Sequence, residues 1–175
     1  MAERASAIIA ASQAHGLSER RGWSLIQYHA WPERYAQVAE KARMQCGASS
    51  SPSPGKAVNG TQGALLRIHP QRLWLLASRE NAVAETLAAE DGVALDLSHA
   101  RTIISVEAGI AETLLSRFVA IHLRGDRFAV DDVASTSLHR VPVVLWRRAE
   151  AIDILAPRSF ARAIWDVLAE TAARL

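Results

Sequence analysis

Short apolar runs separated by polar turns set the pattern of this chain. Trp23-Ser-Leu-Ile-Gln-Tyr28 is apolar and partly aromatic, which predicts a strand. Trp31, Tyr35, Val38, Ala39 and Ala42 then recur at helical spacing, with Glu33, Arg34, Gln37 and Lys41 opposite them, so a helix is predicted over 30–46. Pro32 fits its first turn, where no N–H is needed. Residues 47–63 are rich in Ser, Pro and Gly and predict a long surface loop, either mobile or held by a partner. Two strands follow, 64–69 and 72–77, joined at Pro70-Gln71 by a hairpin whose proline calls for a longer or bulged turn. Ser78 can cap a further helix with Val83 and Leu87 facing inward, and 93–97 makes another strand. The order is β-α-β-β-α-β, a ferredoxin-like split arrangement.

The order then nearly repeats. A strand is predicted over 101–107 and a helix over 109–118, with Ile110, Leu114 and Phe118 aligned. Strands follow at 133–138, 141–147 and 152–156, with Pro142 confined to an edge or a strand start. A last helix over 159–173 buries Phe160, Ile164, Val167 and Leu168, and its Arg162–Asp166 pair lies on the outer stripe. The fold class expected is α+β: two related β-α-β-β-α halves with antiparallel-rich sheets and helices on one face. The divisions are an N-terminal arm (1–21), a first half (22–97) and a second half (98–175).

Composition narrows the function classes. Half the residues are hydrophobic and 22% are charged, as in a folded globular chain. The net charge of +2 gives no ground for nucleic acid or an anionic membrane as partner. Only Lys41 and Lys56 are lysines. The single Cys46 excludes an internal disulfide and a thiolate zinc cluster. No apolar stretch reaches membrane-spanning length and the first residues make a poor signal peptide, so the chain is read as cytoplasmic.

Catalytic signatures are missing. No G-x-G-x-x-G follows a strand, Gly55-Lys56 lacks the rest of a phosphate loop, and the six histidines show no metal-ligand spacing. Asp96, Ser98 and His99 invite a triad, but in an extended segment Ser98 and His99 point to opposite faces. Cys46 has no adjacent cation to stabilise a thiolate, and Asp131-Asp132 reads as a solvated turn. Trp74 reads as core. Trp146 and Trp165, with Arg147 and Arg158, are the residue types enriched at interface hot spots.

Three stretches carry a family resemblance. They are Asp96-Leu-Ser-His-Ala-Arg-Thr-Ile-Ile-Ser-Val-Glu107, Ser135-Thr-Ser-Leu-His-Arg-Val-Pro-Val-Val-Leu-Trp146 and Pro157-Arg-Ser-Phe-Ala-Arg-Ala-Ile-Trp-Asp-Val-Leu168. Between them, Ile121-His-Leu-Arg-Gly-Asp-Arg-Phe128 resembles the pattern L-D-L-x-P-x-x-F, with His122 and Gly125 as departures. In this order they resemble the gamma subunit of heterotetrameric sarcosine oxidase. The resemblance covers the second half well. The first half matches in its strand–helix order and in Leu73-Trp-Leu-Leu76.

The resemblance implies an accessory subunit with a fold like part of the folate-binding aminomethyltransferases. It would pack on the alpha chain, in an assembly with beta and delta chains, and hold no catalytic, cofactor or metal residue. FAD, FMN, NAD and tetrahydrofolate would sit on the other chains, which demethylate sarcosine to glycine with release of hydrogen peroxide. Asp96, Ser98, His99, Arg101, Thr102, Trp146, Arg158, Ser159, Phe160 and Trp165 are the motif residues expected to fix the fold or face the partner. N-methylglutamate dehydrogenase subunits share the motifs. A stand-alone folate-binding protein and a homodimeric scaffold are the other readings.

Overall fold

The computed structural model describes residues 5–8, 13–81 and 86–175. They divide into two units: residues 22–98 form one, and residues 1–21 with 99–175 form the other. Every strand pairing described is antiparallel.

The unit over 22–98 holds a sheet in the order β4-β5-β6-β3-β7, formed by β3 (Trp23–Ala30), β4 (Ala57–Asn59), β5 (Gly63–His69), β6 (Arg72–Ser78) and β7 (Gly92–Asp96). One face is covered by α1 (Tyr35–Cys46), whose Val38, Ala39, Ala42 and Cys46 pack on Ile26, Tyr28, Leu65, Leu73 and Leu75. The helix starts later than the predicted 30–46. Pro32–Arg34 form a 3₁₀ turn instead, and Trp31, at its N-cap, is left exposed. Gly47 ends α1 in the left-handed region at φ 68°, its N–H bonded to the Met44 carbonyl at 3.1 Å.

The long loop over 47–63 is not structureless. It contains β4, is closed by an Ala48–Gly60 bridge, and is stapled by Gln62 N–H to the Cys46 carbonyl at 3.0 Å and Gly55 N–H to the Arg67 carbonyl at 3.0 Å. These bonds tie the two ends of the loop to each other and to β5. The β5–β6 hairpin carries the expected irregularity, a register shift between Arg67 and His69. Of the helix expected from Ser78 to about Asp91, only residues 82–85 lie outside the described residues, and the described parts are not α-helical: residues 86–91 form coil and turn. Its described start is a 3₁₀ turn over Arg79–Asn81, and Leu87 packs against the α1 core.

The other unit holds a sheet in the order β1-β2-β8-β11-β10-β9. Its strands are β1 (Gln13–Ala14), β2 (Leu17–Arg20), β8 (Arg101–Glu107), β9 (Val133–Leu138), β10 (Val141–Arg147) and β11 (Ala151–Pro157). The residues expected to be an arm therefore include two strands. Glu19 and Arg20 pair with Ile104 and Ile103, and His15-Gly16, both at positive φ, make the tight turn of the β1–β2 hairpin.

The two sheets share one plan. In each, a three-strand meander (β4-β5-β6 or β9-β10-β11) lies beside the strand that begins the half, β3 or β8. The place on the far side of that first strand is taken by β7 in one unit and by β2 in the other. The second half as read from sequence lacked this strand, and the start of the chain provides it.

The helices α2 (Ala108–Leu115) and α3 (Ala161–Ala172) cover one face of this second sheet. Leu114, Leu115, Ile164, Trp165 and Leu168 pack on Leu17, Ile104, Val106, Leu145 and Ile154. Each such side chain taken from water contributes about 1.5–3 kcal/mol. Two sequence expectations change here. Phe160 lies in a 3₁₀ turn ahead of α3 and is 47% exposed, while Trp165 is 4% exposed in the core. The helical stripe begins at Ala161, one residue later than expected. That moves Phe160 off the inner face and leaves Val167 half-buried beside the buried Leu168.

Candidate functional site

Two motif elements meet at the start of β8 and the end of β11. Arg101 pairs with Pro157 and Thr102 with Ala156, and Arg158 N–H donates to the Ala100 carbonyl at 2.9 Å. This corner joins the His-Ala-Arg-Thr and Pro-Arg-Ser-Phe segments, which lie far apart in sequence. His99, Ser159 and Phe160 are exposed on it, Arg101 and Arg158 are half-buried, and Thr102 is buried. Burial holds the Arg101 guanidinium below its ordinary value. Arg158 Nη2 donates to the Ala5 carbonyl at 2.8 Å, so this motif arginine fastens the start of the chain.

In the 22–98 unit, Asp96 and Ser98 end strand β7. Asp96 Oδ1 accepts the Ser98 N–H at 2.8 Å, and Ser98 Oγ accepts the Leu25 N–H at 3.0 Å. Both side chains shape a strand end, and the hydroxyl a triad would need is engaged by backbone.

Trp146 is buried, opposite Asp153 on β11 and Val133 on β9, and its indole N–H has no partner among the described residues. Trp74 is buried as expected, with Nε1 donating to Gln27 Oε1 at 3.0 Å. Arg147 packs inward: its guanidinium donates to the Leu123 carbonyl and lies 6.0 Å from the Phe128 ring centroid. It holds the 119–132 loop to β10. Of the aromatic motif residues, Phe160 is the one whose ring is exposed.

The strongest polar constellation escaped the sequence reading. Asp153, fully buried on β11, pairs with Arg20 of β2. It also accepts from Arg148 Nη2 at 2.9 Å and from Ser105 Oγ at 2.8 Å. Arg148 Nε lies 2.9 Å from its second oxygen. A visible signal was there: Asp153 is the lone charge in the apolar run Ala151–Pro157, and an acid buried there needs a cation. The cluster ties three strands of one sheet together, and both carboxylate oxygens are occupied. It braces the fold.

Cys46 is buried, and burial pushes its thiol up, with a backbone bond at Gly60 pulling weakly the other way. Because the folded value is raised, the protonated thiol contributes stability below the ordinary thiol range, and that contribution is lost as pH rises through the raised value. A thiol reagent at pH 8 should modify native Cys46 far more slowly than the urea-unfolded chain. Equal rates would contradict the placement. Among the described residues no group of three or more His, Cys, Asp or Glu side chains could hold a metal ion. No described helix is long and apolar enough to cross a membrane.

No family model matches the chain. The gamma subunit of sarcosine oxidase from Corynebacterium sp. (strain U-96) is 33% identical over 106 residues, 58% of this chain and 51% of that protein. The Arthrobacter gamma subunit is 28% identical over 111 residues, 61% of this chain and 55% of that one. The chain is similar to sarcosine oxidase gamma subunits. It spans about half the length of these curated relatives.

In fold, it matches a chain of the heterotetrameric sarcosine oxidase from Corynebacterium sp. U-96, solved with pyrrole 2-carboxylate. The TM-score is 0.76 at 24% identity, over 96% of this chain and 88% of that one. It also matches aminomethyltransferase T of the glycine cleavage system from Bartonella henselae, with a TM-score of 0.61 at 17% identity over 90% of this chain and 46% of that one. The α+β fold is therefore of the aminomethyltransferase kind, and this chain corresponds to about half of such a protein.

Proposed function

We propose that this chain is a non-catalytic accessory subunit of a flavin-dependent sarcosine oxidase, stabilising a larger alpha chain. FAD, FMN, NAD and tetrahydrofolate would be held by the alpha, beta and delta chains of that assembly. The observation that carries the reading is the split within one motif: Trp165 turns into the core, while Phe160 stands exposed in the same 3₁₀ turn as Arg158. An exposed aromatic in one turn with an arginine is the composition of an interface anchor.

Co-expression with the larger chains should recover a stable complex. Phe160→Ser should weaken retention by at least about tenfold. The same change should move the isolated chain's stability by no more than about 0.5 kcal/mol. Unaltered retention would remove Phe160 from the interface. The substrate is tested on the assembled complex: oxidation of N-methylglutamate in place of sarcosine would assign the related dehydrogenase. Tight binding of tetrahydrofolate by the isolated chain would instead support a stand-alone folate-binding protein.

A further inference from the structure

An accessory chain must offer more than one ring to hold a large partner, and the sheet edges show where a second contact lies. The described edge strands are not alike. β1 has 2 residues and β4 has 3, too short to template another strand. β9 presents Ser135, Thr136 and Ser137 along its length. β7, also an edge, has 5 residues, with Val93 42% and Leu95 45% exposed. Long edges with exposed aliphatic side chains invite pairing and are usually blunted.

The register shows which backbone groups are on offer. Leu97 N–H donates to the Leu25 carbonyl and Trp31 N–H to the Asp91 carbonyl, so these opposite pairs are hydrogen-bonded. Alternation then points the N–H and C=O of Val93 and Leu95 toward β3, and those of Ala94 away from it. The outer edge of β7 therefore carries outward amide groups between two exposed aliphatic side chains. A cleft of 300 Å³ lined by Leu87, Ala89, Val93 and Leu95 lies alongside.

We propose that the outer edge of β7 receives an extended segment of the larger partner chain, which adds to the sheet as one more strand. The inference rests on the accessory-subunit reading above. Charge selects the occupant. From Glu80 to Ser98 the sequence carries Glu80, Glu85, Glu90, Asp91 and Asp96 with no lysine or arginine. Asp91 is already paired with Lys41 at 3.2 Å, and Asp96 accepts the Ser98 N–H. A second copy of β7 laid antiparallel about Ala94 would bring each Asp96 toward the other copy's exposed Glu90, a like-charge approach. A segment with alternating aliphatic residues and a flanking lysine or arginine fits both the apolar positions and the charge.

The test compares Ala94→Pro with wild type in the co-expressed assembly. The Ala94 N–H faces away from β3, so proline leaves the internal ladder intact while removing the donor and crowding the edge. Its thermal midpoint as an isolated chain should match wild type, and its affinity for the larger chain should fall about tenfold or more. Should Ala94→Pro fail to fold, Leu95→Lys at an exposed position gives the same reading. Wild-type affinity in a folded variant would overturn the docking edge and leave the subunit reading standing. A wild-type chain that captures no larger chain would overturn both. A concentration-dependent dimer abolished by Ala94→Pro would replace the partner strand with a second copy and overturn the proposal.

Discussion

Replacing Asp153 with alanine should lower the stability of the folded chain by about 3–5 kcal/mol, the cost of breaking one side of a buried ion pair. The carboxylate is fully buried and faces Arg20, Arg148 and Ser105. Those arginine side chains are only 33% and 31% exposed, so neither can recover full hydration once the acid is gone. Asp153→Asn keeps the shape but removes the charge, and should fall between alanine and wild type. Urea unfolding of the three proteins checks the order. A loss below about 1 kcal/mol for alanine would mean that the pairs behave as surface ion pairs, which contribute about that much or less. Replacing Arg148 and Asp153 together with apolar residues of similar volume should recover much of the loss, because no uncompensated charge remains.

Trp165→Ala should also cost about 3–5 kcal/mol, through the cavity left by the indole and the apolar contact it removes. Trp165 packs with Ile164 and Leu168 of α3 on the sheet of the 99–175 unit and is 4% exposed. The effect should appear in the isolated chain as a lowered unfolding midpoint. If the isolated chain keeps its midpoint and only the assembled complex suffers, the ring belongs to an interface after all.

The elements best legible in the sequence were those with a strong local period. The strand at 101–107 and the hairpin 133–138/141–147 lie at their predicted bounds, marked by short runs rich in β-branched and apolar residues between turn residues. What the sequence hid depended on partners far along the chain. Leu17–Arg20 carries one strongly apolar residue in four, so nothing local announces β2; its strand geometry comes from pairing with residues 103–106. The Ser- and Pro-rich stretch over 47–63 likewise looks unstructured until its bridge to Gly60 and its bonds to Arg67 are seen.

The motif residues were recognisable, but their orientation was not. The buried stripe of α3 begins at Ala161 and not at Phe160, which exchanged the surroundings expected for Phe160 and Trp165. Asp153 was the reverse case: a charge in an apolar strand was visible, while its cations lay on β2 and just beyond β10.

The contribution of β2 to the sheet of the later unit sets an order of assembly on the ribosome. The unit over 22–98 is contiguous and can close as soon as its last residues emerge. Leu17–Arg20 leaves first but must wait, with Leu17 solvated, until β8 has been translated. Deleting Leu17–Arg20 should therefore harm the yield of folded protein more than the rate at which the 22–98 unit forms.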